Sequence, residues 1–329
     1  MKYRKILSAL LAVTLAAGAF TGCSSKSSSS DEDTSSKASD STDDSDDDDA
    51  LNIAYRNDMD SEGYTSIDQL SNSFNNIGDS YRAFNDRSTG SGETEWSVLD
   101  PEDEKELTIM VYVVGSNLES GGGCASTDII EMLESGFTNE DVNLAVYCGG
   151  AYSWYIDIPK NKNSYLVYDH EANDFNVFDD NQKNMASADT FADFLTEVPD
   201  KFPAEHYGLI CWDHGGGPTM GFGLDEVYSL LSNDCLTLEE MKEGLDASPF
   251  AGQKLDFIGF DACLMASIEV ADLWKDYADY MIASVNSEPF TGWNYHFLNI
   301  LDETTDPVAI GRNAVDYYDD FLTANKKEM

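Results

Sequence analysis

The sequence predicts an α/β fold with a mostly parallel central sheet and helices on both faces, and two observations carry that prediction. Short apolar, β-branched runs alternate with stretches of helical pattern, the sign of strands covered on both faces. The order strand, helix, strand also frames the two most distinctive segments of the chain. Tyr207-Gly208-Leu209-Ile210-Cys211 leads into Trp212-Asp213-His214-Gly215-Gly216-Gly217, and Leu255-Asp256-Phe257-Ile258-Gly259 leads into Phe260-Asp261-Ala262-Cys263-Leu264-Met265. Leu236 to Leu245, between them, has a helical pattern, so the two strands are expected to lie parallel in one sheet. A hydrophobic content of 42% over 329 residues is enough for a sizeable core.

In chain order, residues 1–22 are expected to form a lipoprotein signal peptide. Lys2, Arg4 and Lys5 precede the apolar run Ile6 to Phe20, which is short for a membrane-spanning helix. Phe20-Thr21-Gly22-Cys23 resembles a bacterial lipobox, in which Cys23 carries the lipid and becomes the mature N-terminus. The protein is then exported and anchored to the cell membrane, facing outward; the competing reading is an ordinary cleaved secretion signal. Residues 23–50 are a Ser/Asp-rich tether that includes Asp46-Asp47-Asp48-Asp49, with almost nothing apolar to bury and a charge that repels itself into disorder. Read as a calcium site, that run lacks fixed ligand geometry.

Residues 51–106 form an N-terminal helical extension. Ile67, Leu70, Phe74, Ile77, Tyr81 and Phe84 recur at helical spacing between Ser66 and Asn85, and Ser88 to Gly92 breaks the pattern. The extension either docks on the following domain or covers its active site as a propeptide. Residues 107–329 hold that α/β domain. Leu107 to Val114 is its first strand, and Gly121-Gly122-Gly123 is a turn, its spacing matching neither a dinucleotide fingerprint nor a P-loop. Asp128 with Glu131 fits a capping box for a helix through Leu133. Val142 to Cys148 is a second strand. Trp154 to Pro159 and Ser164 to Tyr168 are expected as a hairpin, with Asn161-Lys162-Asn163 near its turn. Ser187 to Val198 is a helix, Trp274-Lys275-Asp276 closes the helix after Cys263, Tyr280 to Val285 is a fifth core strand, and Pro307 to Leu322 is helical.

Open α/β sheets gather their chemistry outside the carboxyl ends of the strands. His214 and Cys263 therefore leave neighbouring strands at one edge. A free thiol titrates near about 8.5 and only the thiolate is a good nucleophile; a neighbouring imidazole can take its proton and later return it to a leaving amine. Glycines after the histidine allow close backbone approach, and the N–H groups of Gly215 and Cys263 are candidates for an oxyanion hole. The histidine precedes the cysteine by about fifty residues, as in caspase-type proteases, although the caspase cysteine signature is absent. His170, His206 and His296 have neither a glycine-rich loop nor a strand-end position, and no local cluster offers the three or four ligands of a zinc site. Six cysteines less Cys23 leave Cys124, Cys148, Cys211, Cys235 and Cys263, an odd set that flags an unpaired thiol in an exported protein. A net charge of −43 argues against nucleic acid as a partner and favours cationic ones.

Taken together, His-Gly-Gly-Gly after Trp-Asp and the downstream Phe-Asp-Ala-Cys-Leu-Met resemble the clostripain family of cysteine peptidases. The likeness extends to Val113-Val114-Gly115-Ser116-Asn117-Leu118-Glu119, to Asp128-Ile129-Ile130-Glu131-Met132, and to Ser287-Glu288-Pro289 followed by Gly292-Trp293. The resemblance implies a caspase-like three-layer sandwich, His214 and Cys263 as the catalytic dyad, and cleavage of proteins or peptides after arginine or lysine. It places Asp261 in the primary specificity pocket; the competing role is capping of a helix that begins near Leu264. Glu288, at the end of the next strand, is a candidate second acid that a substrate guanidinium would relieve of repulsion. Cysteine–histidine chemistry requires no cofactor, although clostripain-like enzymes can use calcium. Family members continue with at least one further strand, so the domain is expected either to be incomplete at residue 329 or to close differently. Relatives also cut themselves between histidine and cysteine, but Gly215 to Met241 contains no lysine or arginine. Self-processing is therefore expected near Arg87. The rival to an endopeptidase is a catalytically inactive lipoprotein that uses the fold as a protein- or peptide-binding module.

Overall fold

Lys105–Val114 (β1) is the strand from which the architecture grows, and every residue from Leu107 onward is buried. Its side chains divide by parity, as a pleated strand requires. Leu107, Ile109, Val111 and Val113 enter one core, while Met110, Tyr112 and Val114 enter the other. A strand apolar on both sides needs a layer on both sides. The structure, a computed structural model, describes residues 104–228 and 235–326. The signal peptide 1–22, the lipid-bearing Cys23, the tether 23–50 and the extension 51–106 up to residue 103, Arg87 included, lie outside the described residues.

After β1 come two helices, Ser116–Gly122 (α1) and Cys124–Glu134 (α2), then strand Val142–Gly149 (β2). Strands Asn163–Asp169 (β3) and Asp174–Asp180 (β4) follow, then helix Ala188–Lys201 (α3) and strand Ala204–Trp212 (β5). A four-residue helix, Gly217–Met220 (α4), and two short strands, Phe222–Leu224 (β6) and Cys235–Leu236 (β7), lead to helix Leu238–Asp246 (α5). Strand Leu255–Asp261 (β8), helix Ile268–Trp274 (α6), strand Ala278–Ile282 (β9), a 3-10 helix over Tyr295–Asp302 and helix Pro307–Lys326 (α7) complete the order.

The main sheet runs β4-β3-β2-β1-β5-β8-β9. Its members from β2 to β9 pair parallel, and β3 and β4 pair antiparallel at one end. One core is formed with α2, the 3-10 helix and α7, and the other with α3, α5 and α6. This is the expected three-layer sandwich with a mostly parallel sheet. Its helices start where short polar side chains bond the first turn: Ser187 caps α3, Ser267 caps α6, and Thr237 with Glu240 makes a complete capping box for α5.

Three local expectations are corrected. The hairpin pairs Asn163–Asp169 with Asp174–Asp180, and the segment from Trp154 to Pro159 lies outside the sheet. Gly121 and Gly122 close α1, and Gly123, at φ +66°, serves as both the end of α1 and the start of α2. Asp128 sits inside α2 and caps nothing, because that helix begins at Cys124. Among the described residues no helix is long and apolar enough to cross a membrane.

Candidate active site

The register of β5 against β8 sets the site. Trp212 pairs with Asp261 at the carboxyl ends of these parallel strands, so His214 and Cys263 each lie two residues beyond the last matched pair. Asp213 N–H still donates to Asp261 O at 3.3 Å, which carries the two chains forward side by side. Gly215 then lies flat on the backbone of Cys263: a Cβ there would come within 2.0 Å of Cys263 O. Only glycine permits that approach. Gly215 also forms an isolated antiparallel bridge with Phe222, whose flanking hydrogen bonds use His214 O and Gly216 N, so the Gly215 N–H stays outside the pairing.

His214 is partly buried, and desolvation pushes its imidazole down to about 4, so the ring is neutral at neutral pH. Its Nε2 pairs with Asn117 Oδ1 at 2.8 Å. An amide oxygen accepts, so Nε2 carries the hydrogen and Nδ1 carries the lone pair. Cys263 Sγ accepts from Glu288 N–H at 3.2 Å. Cys124, Cys148 and Cys211 are buried free thiols, and burial pushes each of them up. Cys263 is partly exposed at the sheet edge.

Behind the thiol lies a group of buried acids. Asp261 accepts from Trp293 N–H at 3.1 Å and from Tyr295 O–H at 3.1 Å, and it shares a hydrogen bond with Glu288. It does not cap a helix, since α6 begins at Ile268 under Ser267. Burial raises Asp261 to about 7. Burial and then the Asp261 charge raise Glu288 to about 9. Asp128 joins them from α2. Its carboxylate accepts from Trp212 Nε1–H at 2.5 Å, and burial, followed by the charge of Asp261, holds it well above the usual range. Gly292, at φ +59°, is the spacer between them, because a Cβ there would lie 3.0 Å from Asp128 Oδ2 and from both Asp261 oxygens. Glu288 Oε2 and Thr291 Oγ1 are buried with no hydrogen-bond partner among the described residues.

The remaining histidines stay outside this region. His206 pairs with Asp256, His170 packs against Phe137 and Tyr168, and His296 bonds Asn294. Calcium takes six to eight oxygen ligands, and among the described residues no group of three or more His, Cys, Asp or Glu side chains is arranged to hold a metal ion. Two members of the site escape a reading of the sequence. Asn117 is visible there only as part of a motif, and Asp128 is drawn to a helix start that its i,i+3 spacing to Glu131 imitates.

The model of the clostripain family matches residues 111–328 of this chain. Among solved structures, the chain is similar to a secreted C11 cysteine protease from Bacteroides thetaiotaomicron in complex with an irreversible peptide inhibitor. That match has a TM-score of 0.53 and 25% identity over 66% of this chain and 59% of the other. An inactive zymogen C11 protease from Parabacteroides distasonis matches with a TM-score of 0.51 and 24% identity, over 67% of this chain and 60% of that one, and supports the fold. The chain thus spans about three fifths of the length of these solved relatives. No curated protein matches it.

Proposed function

The chain belongs to the clostripain family, and from that premise we propose that it is a surface-tethered cysteine endopeptidase that cleaves after arginine or lysine. One observation carries the reading: His214 and Cys263 leave β5 and β8 in register, with Gly215 pressed against the Cys263 backbone. In this mechanism the His214 ring takes the thiol proton at Nδ1, and Sγ attacks the scissile carbonyl. The oxyanion points to the N–H groups of Gly215 and Cys263. Imidazolium then protonates the leaving amine, a thioester remains on Cys263, and water activated by the neutral imidazole hydrolyses it.

The specificity reading rests on the acids. Buried polar atoms are nearly always paired, so the orphaned Glu288 Oε2 beside Asp261 marks a place for a ligand donor. Carboxyls whose ionisation is suppressed by burial and mutual repulsion gain most from a cation, and a guanidinium supplies both charge and a planar array of donors. The tether and outward-facing membrane anchor at Cys23 belong to the same proposal, supported by the lipobox-like Phe20-Thr21-Gly22-Cys23 and the Ser/Asp run after it.

Cys263→Ala and His214→Ala should each abolish hydrolysis of an arginyl peptide while leaving thermal unfolding and circular dichroism unchanged. An arginine-based electrophile should label the wild-type protein at Cys263 and nowhere else. Appreciable turnover by a folded Cys263→Ala protein overturns the mechanism. A wild-type protein that binds peptides without cleaving them points instead to a binding module.

A further inference from the structure

The turn after β1 meets the histidine loop through two consecutive pairs of side chains. Ser116 Oγ–H donates to Asp213 Oδ1 at 2.6 Å, and Asn117 Oδ1 accepts from His214 Nε2 at 2.8 Å. Each contact joins residues 97 apart in sequence. Neither partner in the first pair is free to drift. Ser116 has φ +50°, a left-handed backbone that residues with a Cβ rarely adopt, and its hydroxyl also accepts from Leu118 N–H at 3.2 Å. The turn is wedged before it as well: Gly115 N–H donates to Gly149 O, and a Cβ on Gly115 would come within 2.8 Å of Ala151 Cβ. On the other side Asp213 is buried, and its second oxygen accepts from Leu224 N–H at 2.5 Å.

Backbone held in a rare conformation persists where the surroundings over-determine it, often next to functional groups. Here the product of that strain is the placement of Asn117 against the imidazole. We propose that Asn117 is a positioning residue for His214, fixing the ring and its tautomer so that Nδ1 faces Cys263, and that the Ser116–Asp213 hydrogen bond holds Asn117 in place. This rests on the peptidase reading above and adds to it the third side chain of the site. An amide is well matched to such a role, because a neutral acceptor orients the ring without stabilising the imidazolium as an aspartate would. A ring whose Nε2 is held has one nitrogen left for proton transfer, and a misplacement of about 1 Å at such a step costs roughly 100-fold in rate.

The test compares full-length Asn117→Ala, Asn117→Asp and Ser116→Gly proteins with wild type. Two readouts are used: steady-state kinetics on an arginyl peptide, and the pH dependence of Cys263 alkylation by iodoacetamide. Asn117→Ala should lower kcat about 100-fold with KM within twofold and unfolding temperature unchanged. Asn117→Asp should recover part of kcat and shift the acid limb of alkylation to higher pH, because a carboxylate stabilises the protonated ring. Ser116→Gly suits the left-handed backbone and removes the hydroxymethyl group that bonds Asp213, and it should give an intermediate loss. Wild-type kcat and an unshifted alkylation profile in Asn117→Ala overturn the proposal. So do equal losses in the Ala and Asp variants accompanied by a lower unfolding temperature, which mark a structural role. If the wild-type protein cleaves no peptide, the peptidase reading fails by itself, and the alkylation profiles still decide whether Asn117 governs His214.

Discussion

Gly215 and Asp261 show how single residues carry the proposed chemistry. A methyl group on Gly215 would overlap Cys263 O, so Gly215→Ala must push the histidine loop away from the nucleophile. Turnover should fall by roughly 100-fold or more, and Cys263 alkylation should lose its dependence on His214. Asp261 lends itself to a charge test. A buried ion pair that loses one partner costs about 3–5 kcal/mol, so Asp261→Asn should cut arginyl-peptide turnover by orders of magnitude and neutral-peptide turnover far less. Its effect on stability has the opposite sign. The folded-state carboxyl titrates at about 7, above the roughly 3.9 of an unfolded aspartate. The stability tied to its protonated form is therefore complete below that lower value and is lost as pH rises through 7. Asp261→Asn should raise the melting temperature at pH 8 and leave it nearly unchanged at pH 4, as calorimetry at the two pH values would show.

At the scale of elements, legibility followed burial on two faces. β1, β2, β5 and β8 are continuous apolar runs, and the sequence marks them to within a few residues. β4, with the sequence Asp-Phe-Asn-Val-Phe-Asp-Asp, is not legible because it is an edge strand, where charge protects an open flank and erases the apolar signal. The segment from Trp154 to Pro159 misleads in the opposite direction. Ile156 and Ile158 are buried against the core without joining the ladder, so an alternating pattern reports packing and not strand pairing. Asp128 misleads because local sequence offers a cap while the tertiary structure recruits its carboxylate into the acid group. Placement in elements also bears on self-cleavage. Lys242 lies within α5 and pairs with Asp246, and Lys254 is tied to Asp279 and Lys275 O just before β8. Both would need local unfolding before they could enter a protease site. Mass spectrometry of active protein, beside Cys263→Ala, should show any self-cleavage near Arg87 and an intact chain from Gly215 to Lys254. A two-chain product cut in that interval would refute the expectation.

For the whole molecule, the fold class is legible in the sequence because the strand–helix–strand order leaves few topologies open. The meeting of the His214 and Cys263 loops is legible because parallel neighbours deliver their loops to one edge. Asn117 is not, because its partnership depends on β1 lying beside β5, a pairing across the sheet that no local pattern encodes. The net charge of −43 describes the full chain and not the site. A charge of that sign attracts cations and repels polyanions at long range. Cys23→Ser should move the protein from the membrane fraction to the soluble one, and unchanged fractionation would remove the lipid anchor from the proposal.

The position of β1 between β2 and β5 has a consequence for how the molecule comes into being. Its hydrogen bonds to β5 close a long loop, and high contact order of this kind slows folding. The imidazole, the thiol and the amide that holds the ring arrive on three strands, so they converge only when the middle of the sheet has zipped. A newly made chain therefore carries the Cys263 thiol for some time before the His214 loop meets it. On the peptidase proposal, topology alone keeps the unfinished chain inactive.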